Sequence, residues 1–330
     1  MSSIKIGIQL TKNLEKYNNL LSILKSELTN TNGLEFIHIP TDEILYKVIP
    51  ELDILTTYDI TDKAFDYATE RIKWIHFGAA GIEHSLFSEI LKSKTIITNA
   101  SGIHAGPVSE FVIGMILYFA KQLKGCEQFI KDKKWTQWEL AKKTFQLKGK
   151  TVGIVGFGSI GKAVAKKAKA FDMNVIATRR LQKNMVHKKT VDDLIPISQL
   201  GYLLESSDFV VIACPLTPQT NGMIGKNELS KMQKTALIIN VARGKIIDES
   251  ALINALQNNS IAGAALDVFE KEPLPENNQL FELNNVLLSP HISGNYPEYQ
   301  HDVVVQFADN MNRFMIGKAL KNRVCKKRMY

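Results

Sequence analysis

The chain has 330 residues, more than one compact core usually holds, so two domains are expected. A hydrophobic content of 45% with 22% charged residues is ordinary for a globular protein and excludes intrinsic disorder, collagen-like repeats and fibrous structure. Forty-one Lys and Arg against 33 Asp and Glu leave a formal charge of +8, but the lysines are scattered in pairs without interleaved aromatics, which argues against a nucleic-acid surface.

The N-terminal MSSIKIGIQL lacks the basic flank, apolar block and cleavage site of a signal peptide and reads as a first strand. Segments 4–10, 34–39, 53–56, 73–77 and 95–98 read as strands, with helices over 14–28, 42–48 and 62–72 between them. This alternation predicts a parallel sheet covered by helices on both faces. A long helix is expected over 104–123, with Pro107 near its start and Val108, Phe111, Val112, Met115, Ile116 and Phe119 on one buried side. Its apolar run at 111–120 is ten residues long, whereas a membrane span needs about 20. The basic stretch 121–150 reads as a link, its Trp135 and Trp138 packing at an interface or a domain junction.

A second series follows, with strands expected at 151–156, 174–178, 209–214, 236–241, 261–268 and 285–289. Six strands with interleaved helices suit one doubly wound, dinucleotide-binding unit. A last helix over 297–317 carries Val303, Val304, Phe307, Ala308, Met311 and Phe314 in register, and the basic tail 318–328 reads as a solvated end. Cys126, Cys214 and Cys325 are odd in number and far apart, which suits neither a disulfide framework nor a zinc site and points to the cytoplasm.

Gly156-Phe157-Gly158-Ser159-Ile160-Gly161 closes the strand at 151–155 and opens a helix expected over 159–171. The three glycines play separate parts. Gly156 makes the tight turn, Gly158 lets the backbone approach a pyrophosphate, and Gly161 allows the helix to pack closely on the strand. The helix start, with Ser159 and Ile160, offers unpaired N–H groups and a partial positive charge to an anion. The next strand ends at Thr178 and runs into Arg179-Arg180, 18 residues past Gly161, where sites that prefer NAD place Asp or Glu. A guanidinium binds a 2′-phosphate that a carboxylate would repel, so the pair predicts NADP(H) preferred, with NAD possible. The alternative is that both arginines are solvated loop residues that leave the cofactor choice open.

Three more segments sit at the ends of expected strands: Asn240-Val241-Ala242-Arg243-Gly244, Ala265-Leu266-Asp267-Val268-Phe269 leading to Glu270-Lys271-Glu272-Pro273, and Ser289-Pro290-His291-Ile292-Ser293-Gly294. Ligands of open parallel sheets bind beyond the carboxyl ends of the strands, so these segments could converge on one crevice.

Together with the glycine turn, these segments resemble the signature blocks of the D-isomer-specific 2-hydroxyacid dehydrogenase family. Gly78-Ala79-Ala80-Gly81 is similar to its substrate loop, Pro107-Val108-Ser109-Glu110 to the start of its interdomain helix, and Leu147-Lys148-Gly149-Lys150-Thr151 to the lead into its Rossmann strand. Cys214-Pro215-Leu216-Thr217-Pro218 with Thr220 is similar to its cofactor-side loop, and the blocks run in family order from Phe77 to His291. The resemblance implies an α/β protein of two domains: a Rossmann-type doubly wound cofactor domain over 104–295 and a discontinuous flavodoxin-like substrate domain over 1–103 and 296–330. It implies a homodimer formed through the cofactor domain, and an oxidoreductase that moves hydride between NAD(P)H and a small 2-keto acid.

On that resemblance, Arg243 binds the substrate carboxylate, His291 gives or takes the proton and Glu272 is its partner. Ala80 and Gly81 contribute backbone N–H groups to the carboxylate, and Asp267 lies near the nicotinamide amide or the His–Glu pair. Cys214, Pro215, Thr220 and Val241 border the cofactor, as do Thr178, Arg243 and His291. The residue types suit this chemistry: a guanidinium binds a carboxylate through two hydrogen bonds, and imidazole exchanges its proton near neutral pH. A neighbouring carboxylate would stabilise the imidazolium, although Glu270 competes with Glu272 for that place by proximity. His84 and His104 border the pocket at most and stay outside the catalytic set. Two positions depart from the family: Glu83 stands where Asp is usual, and Arg179 where an acid is usual.

No cluster has metal-ligand spacing, and hydride transfer needs no metal. The competing readings are a formate- or phosphite-type enzyme on the same fold, or an NAD(P)H-sensing, corepressor-like binding protein. Formate enzymes use Gln as the partner of the histidine, so Glu272 disfavours the first. Retention of Arg243, Glu272 and His291 together disfavours the second.

Overall fold

The computed structural model describes residues 3–68, 70–180 and 182–328. The chain divides into two units, Met1–Ile103 with Tyr296–Tyr330, and His104–Asn295.

In the first unit, strands β1 (Ile4–Gln9), β2 (Leu34–His38), β3 (Ile54–Thr57), β4 (Trp74–Phe77) and β5 (Ile96–Asn99) alternate with helices α1 (Leu14–Glu27), α2 (Asp42–Val48), α3 (Asp62–Asp66) and α4 (Ser88–Lys92). All pairings are parallel, in the order β2-β1-β3-β4-β5. Successive side chains of a strand point to opposite faces, so Ile54 and Trp74 enter one core while Leu55 and Ile75 enter the other. A sheet buried on both sides explains why these strands are apolar runs without alternation. The helix expected over 62–72 stops at Asp66 (Thr69 of that span lies outside the described residues). The chain is drawn to the sheet beyond it: Arg71 pairs with Asp53 at 3.1 Å and the Lys73 N–H donates to Asp53 O at 2.8 Å.

The second unit begins with α5 (Ala105–Ala120), α6 (Leu123–Asp132) and α7 (Gln137–Ala141). Stretch 121–150 is therefore not a plain link: Gln122 and Lys133 take left-handed backbone at either end of α6, and neither α6 nor α7 buries a residue. Strands and helices then alternate through β6 (Thr151–Val155), α8 (Ser159–Ala170), β7 (Asn174–Arg179), β8 (Val186–Lys188), β9 (Val191–Pro196), α9 (Leu200–Ser206), β10 (Phe209–Ile212), α10 (Lys226–Lys231), β11 (Leu237–Asn240), α11 (Glu249–Gln257), β12 (Gly263–Leu266) and β13 (Val286–Leu288). The sheet order is β13-β12-β11-β10-β6-β7-β9-β8, parallel except for the antiparallel edge strand β8. The order departs in both directions from β6, as in doubly wound sheets, and places the carboxyl ends of β6, β10, β11, β12 and β13 side by side.

Strands β8 and β9 correct the expectation of six strands. Asp192 and Asp193 break the apolar pattern of β9, and the reason lies across the sheet: the Asp192 carboxylate accepts the Val175 N–H at 2.7 Å, tying β9 to the start of β7.

The chain then returns to the first unit as α12 (Tyr299–Met315), where Val303, Phe307 and Met311 join Ile6, Leu20, Leu24 and Trp74 in one core. The tail is not a solvated end. The Val324 N–H donates to Ile97 O at 2.9 Å, the Asn99 N–H donates to Asn322 O at 3.2 Å, and Val324 is buried. The tail thus covers β5, an edge strand whose unpaired groups would otherwise be open to another chain. Among the described residues, no helix is long and apolar enough to cross a membrane. Deleting 322–330 is expected to cost about 2 kcal/mol from the burial of Val324 alone and to lower Tm in a thermal scan. An unchanged Tm would show that the tail leaves the edge uncovered.

Candidate active site

Strand β6 ends at Gly156, whose φ of +107° is open to glycine and strained for other residues. A Cβ there would lie 2.7 Å from Cys214 N, so the exit of β6 is pressed against the exit of β10. Gly161 answers a second close approach, since its Cβ would lie 2.1 Å from the Gly156 carbonyl oxygen. Gly158 is different. Its φ of −85° suits any residue, and nothing lies within 4 Å of where its Cβ would stand. Among the described residues no contact accounts for glycine at this position; a bare backbone at the start of α8 leaves a cradle that a side chain would fill. No side chain caps α8, so the N–H groups of Ser159, Ile160 and Gly161 remain for an anion. These features fit the pyrophosphate of a dinucleotide.

Around the turn, the residues expected at the cofactor also make hydrogen bonds within the chain. Thr178 is buried beneath the turn, and its hydroxyl accepts the Gly156 N–H at 3.3 Å. Arg179 and Arg180 are exposed at the end of β7. Thr220 engages its hydroxyl within its own loop, donating to Pro215 O at 2.7 Å and accepting the Thr217 N–H at 2.7 Å. Burial pushes the Cys214 thiol up to about 12, which leaves it a neutral wall and not a nucleophile.

The carboxyl ends of β11, β12 and β13 carry the polar cluster. After β11, the buried Asn240 side chain accepts the Ala242 N–H at 3.1 Å and donates to Arg243 O at 3.0 Å, which fixes the loop bearing Arg243. A Cβ on Gly244 would lie 1.8 Å from Phe269 C, so this loop rests directly on the backbone after β12. Val241 is buried, and Arg243 is half-buried with Nη1 donating to Ala242 O at 2.7 Å.

After β12, Glu272 accepts the Phe269 N–H on Oε1 at 3.0 Å and meets Nδ1 of His291 with Oε2 at 2.7 Å. Glu270 is not the partner; its N–H donates to Glu249 at 3.3 Å. A carboxylate only accepts, so Nδ1 of His291 carries the proton and Nε2 is the nitrogen left for chemistry.

His291 has φ +54°, a left-handed conformation that costs about 1–3 kcal/mol in a residue with a side chain and persists where surrounding bonds over-determine it. Asp267 supplies those bonds. It is fully buried and accepts Ser289 Oγ at 2.7 Å, the Ile292 N–H at 2.9 Å and the Ser293 N–H at 3.0 Å. Asp267 was expected beside the nicotinamide amide or the His–Glu pair; it lies under the loop that carries His291, with both oxygens engaged by residues flanking that histidine.

Sequence reasoning left out His104, which the structure brings to this cluster. It precedes α5, and its ring lies against Gly294, whose Cβ would stand 2.7 Å from His104 Cδ2. Burial first, then the charges of Arg243 and His291, hold its pKa below the ordinary imidazole range. No local signal marks it, because it arrives there through the fold-back of 289–294. His84 is exposed. Among the described residues, no group of three or more His, Cys, Asp or Glu side chains could hold a metal ion.

In the first unit, Ala80 and Gly81 follow β4. Their N–H groups form no hydrogen bond among the described residues, while Asn99 Nδ2 donates to Ala80 O at 2.7 Å.

Comparison with known proteins supports this picture. The family model "D-isomer specific 2-hydroxyacid dehydrogenase, NAD binding domain" matches residues 113–293. A glyoxylate reductase from Thermococcus litoralis is 34% identical over 294 residues, spanning 87% of this chain and 88% of that one. A D-isomer specific 2-hydroxyacid dehydrogenase family protein from Aeromonas salmonicida has a TM-score of 0.83 at 26% identity, over 98% of this chain and 100% of that one. The NADPH-dependent glyoxylate/hydroxypyruvate reductase of Sinorhizobium meliloti, solved with NADP and sulfate, shares the fold at a TM-score of 0.84 and 23% identity, over 99% and 100% of the two chains.

A Gly158→Ala methyl meets no atom of the described residues, so Tm is expected to stay unchanged while NADPH binding, followed by fluorescence titration, weakens by about tenfold or more. Gly161→Ala is expected to lower both. Parental NADPH affinity in Gly158→Ala would remove the cradle from the binding site.

Proposed function

The chain belongs to the D-isomer specific 2-hydroxyacid dehydrogenase family and is an NAD(P)-dependent 2-hydroxyacid dehydrogenase, and from that premise we propose that it reduces a small 2-keto acid to the D-2-hydroxy acid, with NADPH preferred and His291 as acid and base. The observation that carries this reading is the 2.7 Å contact between His291 Nδ1 and Glu272, on an imidazole held in left-handed backbone.

The bound dinucleotide supplies the hydride for the carbonyl carbon. Arg243 holds the substrate carboxylate by two parallel N–H bonds, assisted by the N–H groups of Ala80 and Gly81. His291 hands the proton from Nε2 to the carbonyl oxygen, and Glu272 steadies the ring's orientation and its charge. In the oxidative direction neutral His291 takes the proton back. The first turn of α8 with Gly158 would receive the pyrophosphate, Cys214, Pro215 and Val241 would wall the cofactor, and Arg179 and Arg180 would receive the 2′-phosphate. The absence of a carboxylate after Thr178 supports NADPH over NADH, with NADH as the weaker alternative. Glyoxylate and hydroxypyruvate are the favoured substrates, in keeping with the relatives' names. Three unpaired cysteines suit the reducing cytoplasm.

We further propose a homodimer through the cofactor unit. Ile130, Trp135 and Trp138 are 71%, 80% and 71% exposed in the single chain, an apolar surface on α6, α7 and the turn between them that a second copy would cover. Sedimentation equilibrium is expected to return twice 37.0 kDa. A stable monomer would overturn this assignment.

A panel of 2-keto acids, each run with NADPH and NADH, tests the rest. His291→Ala is expected to lower kcat/KM by about 10²–10⁴-fold, and Arg243→Ala to do so with a large rise in KM, both with parental Tm. Replacing Arg179 and Arg180 by Ser is expected to bring NADPH down to the level of NADH. Near-parental turnover in either single variant removes that residue from the mechanism, and a clear preference of the parent for NADH overturns the cofactor reading.

A further inference from the structure

The loop after β4 is tied down on one side of its backbone only. Tyr299 Oη donates to Gly78 O, the Ala100 N–H donates to Ala79 O at 3.1 Å, and Asn99 Nδ2 donates to Ala80 O at 2.7 Å. Three successive carbonyls therefore have fixed partners. In a planar trans peptide the C=O of one residue and the N–H of the next point in opposite directions. Fixing the carbonyls of Gly78, Ala79 and Ala80 thus fixes the N–H groups of Ala79, Ala80 and Gly81 away from those partners. None of these three N–H groups is hydrogen-bonded among the described residues.

The tether is itself braced. The Tyr58 ring would lie 3.0 Å from a Cβ on Gly78, so it packs against the loop where it leaves the strand. Gln300 Nε2 donates to Tyr58 Oη at 2.9 Å and to Leu10 O at 2.9 Å, so the first turn of α12, which holds the loop through Tyr299, also holds the ring packed against it. Burial, and then Tyr58, push the Tyr299 hydroxyl well above the usual phenol range, so it remains a donor throughout the working pH range.

We propose that Tyr299 and Asn99 are positioning residues for the reaction: from opposite ends of the loop they set a row of three N–H groups, at Ala79, Ala80 and Gly81, that receives the carboxylate of the 2-keto acid. This rests on the reading that Ala80 and Gly81 meet that carboxylate, and adds Ala79 to them. Neither side chain touches substrate; each acts through a carbonyl on the far side of the peptide from the N–H it aims.

Tyr299→Phe removes the hydroxyl and keeps the ring, and Asn99→Ala removes the other tether. In each, KM for glyoxylate and Ki for oxamate, a carboxylate that cannot be reduced, are expected to rise about five- to tenfold, the worth of one hydrogen bond to an anion-binding group. The value of kcat and the Kd for NADPH are expected to stay within twofold, since an anchor lost equally from ground and transition states moves KM alone. A merely structural role would lower Tm and shift NADPH affinity together, and that pattern overturns the proposal. Gly81→Val, which crowds the N–H row itself, separates the two levels. If it raises KM and Ki while Tyr299→Phe and Asn99→Ala do not, the loop binds the carboxylate but these residues do not set it. If none of the three moves KM or Ki, the reading of the loop fails and the proposal falls with it.

Discussion

A carboxylate removed entirely from water is tolerated only when its oxygens are fully engaged, and at Asp267 the engagement is with a single short segment. Ser289, Ile292 and Ser293 converge on it from both sides of His291, and the histidine between them has no freedom to relax from left-handed backbone. Three charge-assisted hydrogen bonds, each worth about 1.5–3 kcal/mol, exceed the strain of about 1–3 kcal/mol that the conformation stores. The imidazole is thereby presented at a set angle, and Glu272 needs only to accept from Nδ1 to leave Nε2 for the proton transfer proposed above.

Close backbone approach recurs across the carboxyl edge of the second sheet. Gly244 places the Arg243 loop on the backbone of Phe269 and Glu270, and Glu272 is held by the Phe269 N–H, so the cation and the His291–Glu272 pair share one backbone platform. Gly294 lets the ring of His104 settle behind them, where burial, and then the charges of Arg243 and His291, lower its pKa. On the other side of the sheet's centre, Gly156 and Gly161 are required by contacts inside the protein, whereas Gly158 is not. That contrast separates the glycines that fold the turn from the one proposed to admit a ligand.

Much of this is legible from residue order. Strand–turn–helix around Gly156 is written in local spacing, and the carboxyl ends of successive strands can be lined up because a parallel sheet puts them on one edge. Strand β9 is not legible, since Asp192 reads as an interruption until its bond to the Val175 N–H across the sheet is seen. The tail reads as a solvated end because lysines and arginines dominate it, yet the buried Val324 and two backbone bonds hold it to β5.

Residue type and spacing alone identified the glycine turn, the guanidinium pair after β7 and the short list from which an acid–base couple is drawn, because each depends on backbone conformation or chemistry within a few neighbouring residues. They left Glu270 and Glu272 equivalent, did not choose between the two places offered for Asp267, set His104 at the border of the pocket, and gave Asn240 and Tyr299 no part. Those assignments rest on hydrogen bonds and contacts between segments far apart in the chain, and such partners exist only after sheets, helices and loops have docked at ångström separations that no local pattern encodes.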